Sequence, residues 1–176
     1  VALRASMVET LAPRGTIIFN EGEIGDHMYV IVGGKIKLGH ASSDGRESLL
    51  AVLGPGEIFG ELSLFDPGPR TATATALTDA RVLALGNTSL HPWLAGRPEV
   101  AEALLAALAR RLRRTNDALA DLVFSDVPGR VAKALLELAD KFGTWHEEGT
   151  LVKHDMTQEE LAQLVGASRE TVNKAL

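Results

Sequence analysis

Cysteine is absent from all 176 residues, which excludes disulfides, zinc sites built from thiolates and iron–sulfur clusters held by cysteine. No apolar run reaches the ~18 residues of a membrane-spanning helix, and no secretory signal pattern opens the chain. The five histidines are scattered along the chain, so neither a metal site nor a cofactor is expected. The composition is that of an ordinary globular protein, and we expect it to work in the cytoplasm.

An excess of positive charge is also missing. The formal net charge is -5, so any binding to nucleic acid must come from a local basic patch. The length allows one large or two small domains. Because the chain opens at Val1 and closes at Leu176 inside a predicted helix, we expect a trimmed amino terminus and further sequence beyond the last residue.

The first half of the chain is punctuated by glycine-containing turns. A short amphipathic helix is predicted over residues 2–11, with Leu3, Met7 and Leu11 on one side. Strands are predicted at Thr16–Phe19, Met28–Val32, Lys35–His40, Ser48–Leu53, Thr71–Leu77 and Arg81–Leu85. Asp44-Gly45 is a hairpin signal between two of them. This close, even spacing favours an antiparallel barrel or roll.

Ligand-type residues gather near the end of this β region, in Phe59-Gly60-Glu61-Leu62-Ser63 followed by Arg70-Thr71. Arg70 offers a planar, permanently charged donor fork for phosphate oxygens. Glu61 can accept hydrogen bonds from ribose hydroxyls, and Gly60 lets a ligand approach the backbone. The set suits a small ligand with a phosphate and a sugar diol. The alternative is a turn with a surface Glu–Arg pair.

Two helices are predicted next. One spans Asn87–Gly96, capped by Asn87 or Thr88, and a long one runs from Pro98 to about Ser125. The apolar seam of the long helix advances in steps of four and three, and consists of Ala101, Leu105, Leu108, Leu112, Thr115, Leu119 and Leu122. This heptad spacing favours a symmetric homodimer, with packing against the chain's own β domain as the alternative.

Polar residues interrupt and flank that seam. Thr115, followed by Asn116, either fixes the register of the helix pair or faces a polar group buried between the helices. The arginines at 110, 111, 113 and 114 are interpreted as a solvated helix flank, with phosphate contact as the alternative.

The C-terminal part begins at a helix break, Asp126-Val127-Pro128-Gly129. Asp126 is the predicted cap of the next helix, which Gly143 ends, and Thr144–His154 reads as a hairpin turning at Glu148-Gly149. Thr157-Gln158-Glu159-Glu160 is a capping box, and Ser168 caps a final helix over Arg169–Leu176.

The last two helices have helix-turn-helix spacing. Small Ala162 allows close approach, Gly166 takes the turn and Val172 packs inward, although an ordinary αα corner is the alternative. In a DNA reader, Arg169 and Glu170 would face guanine and cytosine edges in the major groove, unless they form a solvated pair. Further candidates for base or phosphate contact are Thr157, Ser168, Thr171 and Lys174.

In this order along the chain, the ligand-type motif at Phe59–Thr71, the long helix and the helix-turn-helix resemble the cyclic AMP receptor protein (CRP/FNR) family of bacterial transcription regulators. The motifs that carry the resemblance are Phe59–Ser63, Arg70-Thr71, Arg110–Asn116, Asp126–Arg130 and Gly166–Val172. The stretches Phe65–Arg70 and Asp126–Lys133 look especially like the actinobacterial cAMP receptor proteins. The resemblance implies an α+β fold with three parts: an N-terminal antiparallel β-roll of jelly-roll type that binds cyclic nucleotide at 1–97, a dimerisation helix at 98–125 and a helix-turn-helix domain of winged-helix type at 126–176.

Site roles also follow from the resemblance. Gly60, Glu61, Leu62 and Ser63 would hold the ribose and phosphate of cAMP, and Arg70 with Thr71 would clamp the cyclic phosphate. Thr115, and Asn116 of the partner subunit, would meet the adenine. The seam residues Leu105, Leu108, Leu112, Leu119 and Leu122 would form the dimer interface, and Phe124, Ser125 and Asp126 the hinge.

The resemblance also implies that a homodimer binds palindromic double-stranded DNA and contacts RNA polymerase. Two departures affect these roles. Asn116 and Lys174 stand where the enteric members carry Ser and Arg, so the adenine contact and base reading are expected to differ. The wing that follows the last helix in the family lies outside this sequence, so weak DNA binding, or none, is expected of the chain as given.

The sequence thus predicts a cAMP-responsive regulator and no enzyme, because no nucleophile and base meet in the predicted pocket. A same-family regulator that responds to another ligand, or that is active without one, is the alternative. A nucleotide-sensing module for an attached partner is disfavoured by the helix-turn-helix in the same chain.

Overall fold

The computed structural model describes residues 7–42 and 47–176. Its N-terminal part contains two four-stranded antiparallel sheets, ordered β1-β8-β3-β6 and β2-β7-β4-β5. The strands are β1 (Val8–Ala12), β2 (Ile17–Phe19), β3 (His27–Gly33), β4 (Ile36–Ala41), β5 (Glu47–Leu53), β6 (Ile58–Phe59), β7 (Thr73–Ala76) and β8 (Ala80–Gly86). Both sheets contribute to one apolar core, with Ile31, Phe59 and Val82 from the first and Ile36 and Ala74 from the second. The predicted antiparallel roll is confirmed.

Strand β1 corrects the predicted helix over residues 2–11. Val8–Ala12 pairs with β8 along its whole length, from Val8 opposite Ala84 to Ala12 opposite Ala80. Leu11 is 74% exposed, so the spacing of Met7 and Leu11 does not mark a buried helix face. Pairing with a neighbouring strand overrides a weak local helix pattern. Leu3, the third residue of that pattern, lies outside the described residues.

The hairpin between β4 and β5 is confirmed by its pairing, from Ile36 opposite Leu53 to Ala41 opposite Glu47. Its predicted turn, Asp44-Gly45, lies outside the described residues. Polar and small apolar residues alternate in β7, where Ala74 and Ala76 are buried and Thr73 and Thr75 are half-buried.

Helices and one hairpin make up the rest of the structure. They are α1 (Leu62–Phe65), α2 (Asn87–Ala95), α3 (Pro98–Phe124), α4 (Val127–Phe142), β9 (Gly143–His146), β10 (Gly149–Val152), α5 (Gln158–Val165) and α6 (Arg169–Ala175). None of the helices in the described ranges is long and apolar enough to cross a membrane.

Most of the predicted helix ends are confirmed. Asp126 caps α4 by accepting a hydrogen bond from Gly129 N at 2.9 Å, and Gly143 follows its last residue. The cap predicted for α2 is wrong, because β8 passes directly into the helix and Gly86 takes the cap position in place of Asn87 or Thr88. The β9–β10 hairpin turns one residue earlier than predicted, since Gly149 already pairs with His146.

The C-terminal helices, α4 to α6, pack against the roll. Leu49 and Val52 of β5 share one apolar cluster with Leu161, Val165 and Val172 of the helix-turn-helix region. Two ion pairs cross the same boundary, Lys37 Nζ to Glu160 Oε1 at 2.6 Å and Lys35 to Asp155. We call α4, α5, α6 and the β9–β10 hairpin the head. The head is therefore docked on the sheet that contains β5.

Candidate functional site

Glu61 follows the end of β6, where Gly60 turns the backbone through a positive φ of 73°. The Glu61 side chain is 1% exposed. Its Oε1 atom accepts a hydrogen bond from Nη1 of Arg111 at 2.8 Å. Among the described residues, its Oε2 atom has no hydrogen-bond partner. The site therefore contains a buried carboxylate with one oxygen still able to accept.

Arg70 lies beside Gly60 and is 5% exposed. Its Nη1 donates to Gly60 O at 2.6 Å and its Nη2 donates to His27 O at 2.7 Å, while the guanidinium lies 4.1 Å from the centre of the Phe19 ring. The Nε atom has no partner within the described part of the chain. Burial lowers the pKa of Arg70, and the neighbouring Tyr29, Asp26 and Glu61 oppose that shift. Arginine stays charged at neutral pH under such shifts.

Two glycines make room for this guanidinium. A Cβ at Gly25 would lie 2.6 Å from Cζ of Arg70 and 2.6 Å from Oγ of Ser63. A Cβ at Gly60 would lie 2.8 Å from Nη1 of Arg70. The fold thus brings Gly60, Glu61, Ser63 and Arg70 together.

Leu62 and Thr71, the other predicted ligand residues of this region, are exposed at its edge. The unpaired buried atoms give the site its chemistry. A buried polar atom without a hydrogen-bond partner is costly, and a ligand that supplies the partner recovers that cost. Glu61 Oε2 can accept from a hydroxyl, and Arg70 can donate to an anion. This donor and acceptor set matches the phosphate and sugar diol expected from the sequence.

Arg111 is a residue of this site that sequence analysis missed. The interpretation of the arginine cluster as a solvated flank is wrong for Arg111, whose partner Glu61 is buried; Arg114 is exposed and pairs with Glu57 at 3.1 Å. No local signal in the sequence reports these two pairs, because their partners lie 50 and 57 positions apart in the chain. Arg110 and Arg113 are exposed, as expected.

Thr115 and Asn116 lie one turn further along α3. Thr115 Oγ1 donates to the carbonyl of Arg111 at 3.1 Å, and both residues are exposed in the single chain. The structure therefore places them beyond Arg111, on the exposed surface of α3.

The apolar seam of α3 is uncovered. Leu105, Leu112, Leu119 and Leu122 are each more than half exposed, while Leu108 is half-buried. A cavity of about 290 Å³ adjoins the start of the seam, lined by Phe65, Leu94, Ala101, Leu104, Leu105 and Leu108. Packing against the chain's own β domain, the alternative for this seam, leaves these leucines unexplained.

The last two helices have the geometry of a helix-turn-helix. Ala162 and Val172 are buried, and Gly166 ends α5 in the left-handed region with φ 66° and ψ 45°. The predicted capping box is present: Glu160 N donates to Thr157 Oγ1 at 3.1 Å, and Thr157 N donates to Glu160 Oε2 at 2.7 Å. Ser168 caps α6 by accepting from Thr171 N at 3.2 Å.

The predicted DNA-reading residues are all exposed, and they are Thr157, Ser168, Arg169, Glu170, Thr171 and Lys174. Glu170 pairs with Lys174 at 2.7 Å, one turn along α6. The alternative considered from the sequence, a solvated pair between Arg169 and Glu170, is therefore replaced by a pair between Glu170 and Lys174. The arrangement leaves Arg169 at the first turn of α6, facing solvent.

Arg130 joins the segment after α3 to the helix-turn-helix. Its Nη1 donates to Ser125 O at 2.8 Å, its Nε to Val165 O at 2.9 Å and its Nη2 to Gly166 O at 3.4 Å. One side chain thus holds both the end of α3 and the turn before α6. Phe124, which with Ser125 and Asp126 forms the predicted hinge, is 87% exposed.

Comparisons with known proteins agree with both halves of this arrangement. A model of the cyclic nucleotide-binding domain matches residues 9–96, and a model of the Crp-like helix-turn-helix domain matches residues 129–176. A CRP-like cAMP-activated global transcriptional regulator of Mycobacterium tuberculosis is 60% identical over 164 residues, covering 93% of this chain and 73% of the relative. The chain belongs to the CRP/FNR family of transcription regulators.

Two further proteins show how far the likeness extends. The cyclic AMP receptor protein of Thermus thermophilus is 41% identical over 94% of this chain and 74% of its own length. The structure of the c-di-GMP responsive global regulator CLP of Xanthomonas campestris superimposes with a TM-score of 0.83 at 26% identity, covering 99% of this chain and 86% of that one. The fold is therefore that of a CRP-family regulator across its whole length.

Proposed function

We propose that this CRP-family protein is a dimeric transcription regulator that binds cAMP and then recognises palindromic DNA in the cytoplasm. The observation that supports this ligand is the pair of buried charged residues, Glu61 and Arg70, each of which has one polar atom without a hydrogen-bond partner among the described residues. A cyclic nucleotide phosphate would accept from Nε of Arg70, and the ribose 2′-hydroxyl would donate to Oε2 of Glu61. Gly60, Leu62, Ser63 and Thr71 would complete the lining of the pocket.

The adenine base would lie against α3. Thr115, and Asn116 from the partner subunit, are polar and exposed one turn beyond Arg111. The leucine seam beside them supports a parallel pair of helices, with Leu105, Leu108, Leu112, Leu119 and Leu122 as its contacts. In this arrangement the ligand and the dimer interface share residues, so binding of one stabilises the other.

For DNA, the exposed first turn of α6 would enter the major groove, with Arg169 and Glu170 at the base edges. Thr157, Ser168 and Thr171 would contact phosphate, and Lys174 would reach a base or a phosphate. A two-fold dimer would present two such helices to the two halves of a palindrome. Contact with RNA polymerase and the division at residues 97/98 and 125/126 stay predictions.

Calorimetric titration with cAMP, and with cGMP as the comparison, tests the ligand. We expect one site per subunit with a preference for cAMP. Arg70→Ala should abolish binding and leave a folded dimer, because it removes the phosphate donors. Arg81→Ala is the matched control, since Arg81 is an exposed arginine of the same roll that pairs with Glu9. Unchanged affinity of the Arg70 variant would contradict the phosphate assignment.

A second candidate is a CRP-family regulator that answers another ligand or needs none. It is favoured by the c-di-GMP response named for the structurally similar CLP protein. No heat with either cyclic mononucleotide, together with sequence-specific DNA binding by the ligand-free dimer, would support this second candidate.

A further inference from the structure

Glu57 lies where the roll, the long helix and the head meet. Its Oε1 accepts from Nη1 of Arg114 on α3 at 3.1 Å. Nζ of Lys141, at the end of α4, lies 3.2 Å from both of its carboxylate oxygens. Gly54 N donates to Oε2 at 2.9 Å. One carboxylate of the roll therefore contacts both helices that flank the hinge.

The end of α4 is seated on the turn that carries Glu57. Lys141 Nζ also donates to Val52 O at 3.0 Å, and the Phe142 ring covers Gly54 so closely that a Cβ there would lie 2.6 Å from it. Burial raises the pKa of Glu57. The hydrogen bonds from Gly54, Lys141 and Arg114 and the charge of Lys141 outweigh that effect, so the pKa lies below its ordinary value. The carboxylate is therefore ionised at neutral pH.

The same segment of the roll carries the ligand site. Glu57 and Glu61 flank β6, whose Phe59 is fully buried and stacked on Tyr29 with ring centres 5.0 Å apart. The spacing between the two carboxylates is thus fixed by a packed strand. Arg111 and Arg114, three residues apart on α3, pair with Glu61 and Glu57 respectively. The roll therefore holds α3 at two points, one in the ligand site and one at Glu57.

We propose that Glu57 is the positioning residue that couples occupancy of the Glu61–Arg70 site to the orientation of the head. The inference rests on the proposed function, because it explains how that site regulates DNA binding. A ligand hydroxyl that donates to the free Oε2 atom of Glu61 shares the carboxylate charge with Arg111, which donates to Oε1, and so weakens the hold of Glu61 on α3. A shift of α3 at Arg111 moves Arg114 against Glu57, which also anchors Lys141 of the head. Through Glu57, a bound ligand stabilises one orientation of the head more than another, as coupling between two sites requires.

The test measures the coupling factor, defined as the ratio of the DNA dissociation constants without and with saturating cAMP. It uses the full-length protein and one palindromic site. In Glu57→Gln we expect this factor to fall about 10-fold, within the usual range of allosteric coupling. The affinity for cAMP without DNA should change less than about 3-fold, because Glu57 does not contact the ligand site directly. Thermal unfolding establishes that the variant is folded.

Single variants separate the two contacts of Glu57. Arg114→Gln removes the contact with the long helix and Lys141→Gln removes the contact with the head, and each should lower the coupling factor. Combining Lys141→Gln with Glu57→Gln should lower it no further than Glu57→Gln alone, because both break the same link. Glu9→Gln, in an exposed ion pair within the roll, is the matched control and should leave the factor unchanged.

The outcomes distinguish this inference from the proposed function. A wild type that binds no cAMP contradicts the proposed function itself. A wild type with cAMP-dependent DNA binding, in which Glu57→Gln keeps the full coupling factor, overturns the role of Glu57 alone. Additive losses in the double variant would also overturn it, since they would mean that Glu57 and Lys141 act independently.

Discussion

Arg111 of the long helix donates to Glu61 of the ligand site at 2.8 Å, and the Glu61 side chain is 1% exposed. Arg111 is the one partner of that carboxylate within the described residues. A buried carboxylate that loses its partner keeps the full cost of desolvation. The long helix α3 therefore supplies the charged partner of the carboxylate in the candidate site.

Arg111→Gln should destabilise the ligand-free protein by about 1–3 kcal/mol, because it leaves the buried Glu61 without its charged partner. Urea unfolding measures the loss. The double variant with Glu61→Gln should recover part of it, since the buried charge is then gone as well. Arg110→Gln, at an exposed position one residue earlier, is the control. A single variant as stable as the wild type would mean that the ion pair contributes nothing.

Gly60 and Gly56 form a matched pair for testing the ligand site. Both have positive φ, 73° and 84°, so alanine costs each of them about 1–2 kcal/mol of backbone strain. Only at Gly60 would the new Cβ also meet Arg70, at 2.8 Å, whereas nothing lies within 4 Å at Gly56. Gly60→Ala should therefore weaken cAMP binding in calorimetry, and Gly56→Ala should lower stability alone. Equal cAMP affinities in the two variants would argue against close backbone approach at Gly60.

How far the sequence predicts this structure depends on the range of the interactions involved. Asp126, Thr157 and Ser168 were predicted as helix caps and are caps, because each bonds to the backbone three residues away. The helix predicted over residues 2–11 failed because β1 is defined by its pairing with β8, some seventy positions later in the chain. No local pattern reports that pairing.

The same contrast between local and distant interactions applies to the candidate site. Gly60, Glu61, Ser63 and Arg70 come from one segment, so their sequence motif was enough to place them together. Arg111 and Glu57 could be recognised only from the structure, because their ion pairs form where α3 and α4 dock on the roll. A charged residue on a helix surface has the same sequence signature whether it faces solvent or a distant carboxylate.

Arg169 is exposed at the first turn of α6, where it can reach a base edge. In a full-length protein, Arg169→Ala should cost about 1–3 kcal/mol on the specific DNA site and little on random DNA. Arg169→Lys should not restore specificity, because lysine keeps the charge and lacks the bidentate fork. Fluorescence anisotropy with both DNA sequences provides the measurement. An equal loss on both sequences would assign Arg169 to phosphate contact.

The folded state with the docked head should lose stability in acid, because Glu160 becomes protonated. Burial raises the pKa of Glu160, but hydrogen bonds from Lys37 and Thr157 outweigh it, so the pKa lies below its ordinary value of 4.5. A carboxyl with a lowered pKa in the folded state stabilises that state fully above its unfolded value. The stabilisation is then lost as the pH falls from about 4.5 through the lower folded value.

Lys37→Met tests this source of acid sensitivity, because it removes the charge and keeps the aliphatic stem. The free energy of unfolding at neutral pH should fall by up to about 1 kcal/mol, and it should decline less steeply below pH ~4.5 than in the wild type. The capping box remains in this variant, since Thr157 still bonds Glu160. Lys153→Met, at an exposed lysine in the segment between β10 and α5, should keep the wild-type slope. Parallel pH profiles for wild type and Lys37→Met would show that the Lys37–Glu160 pair does not hold the head on the roll.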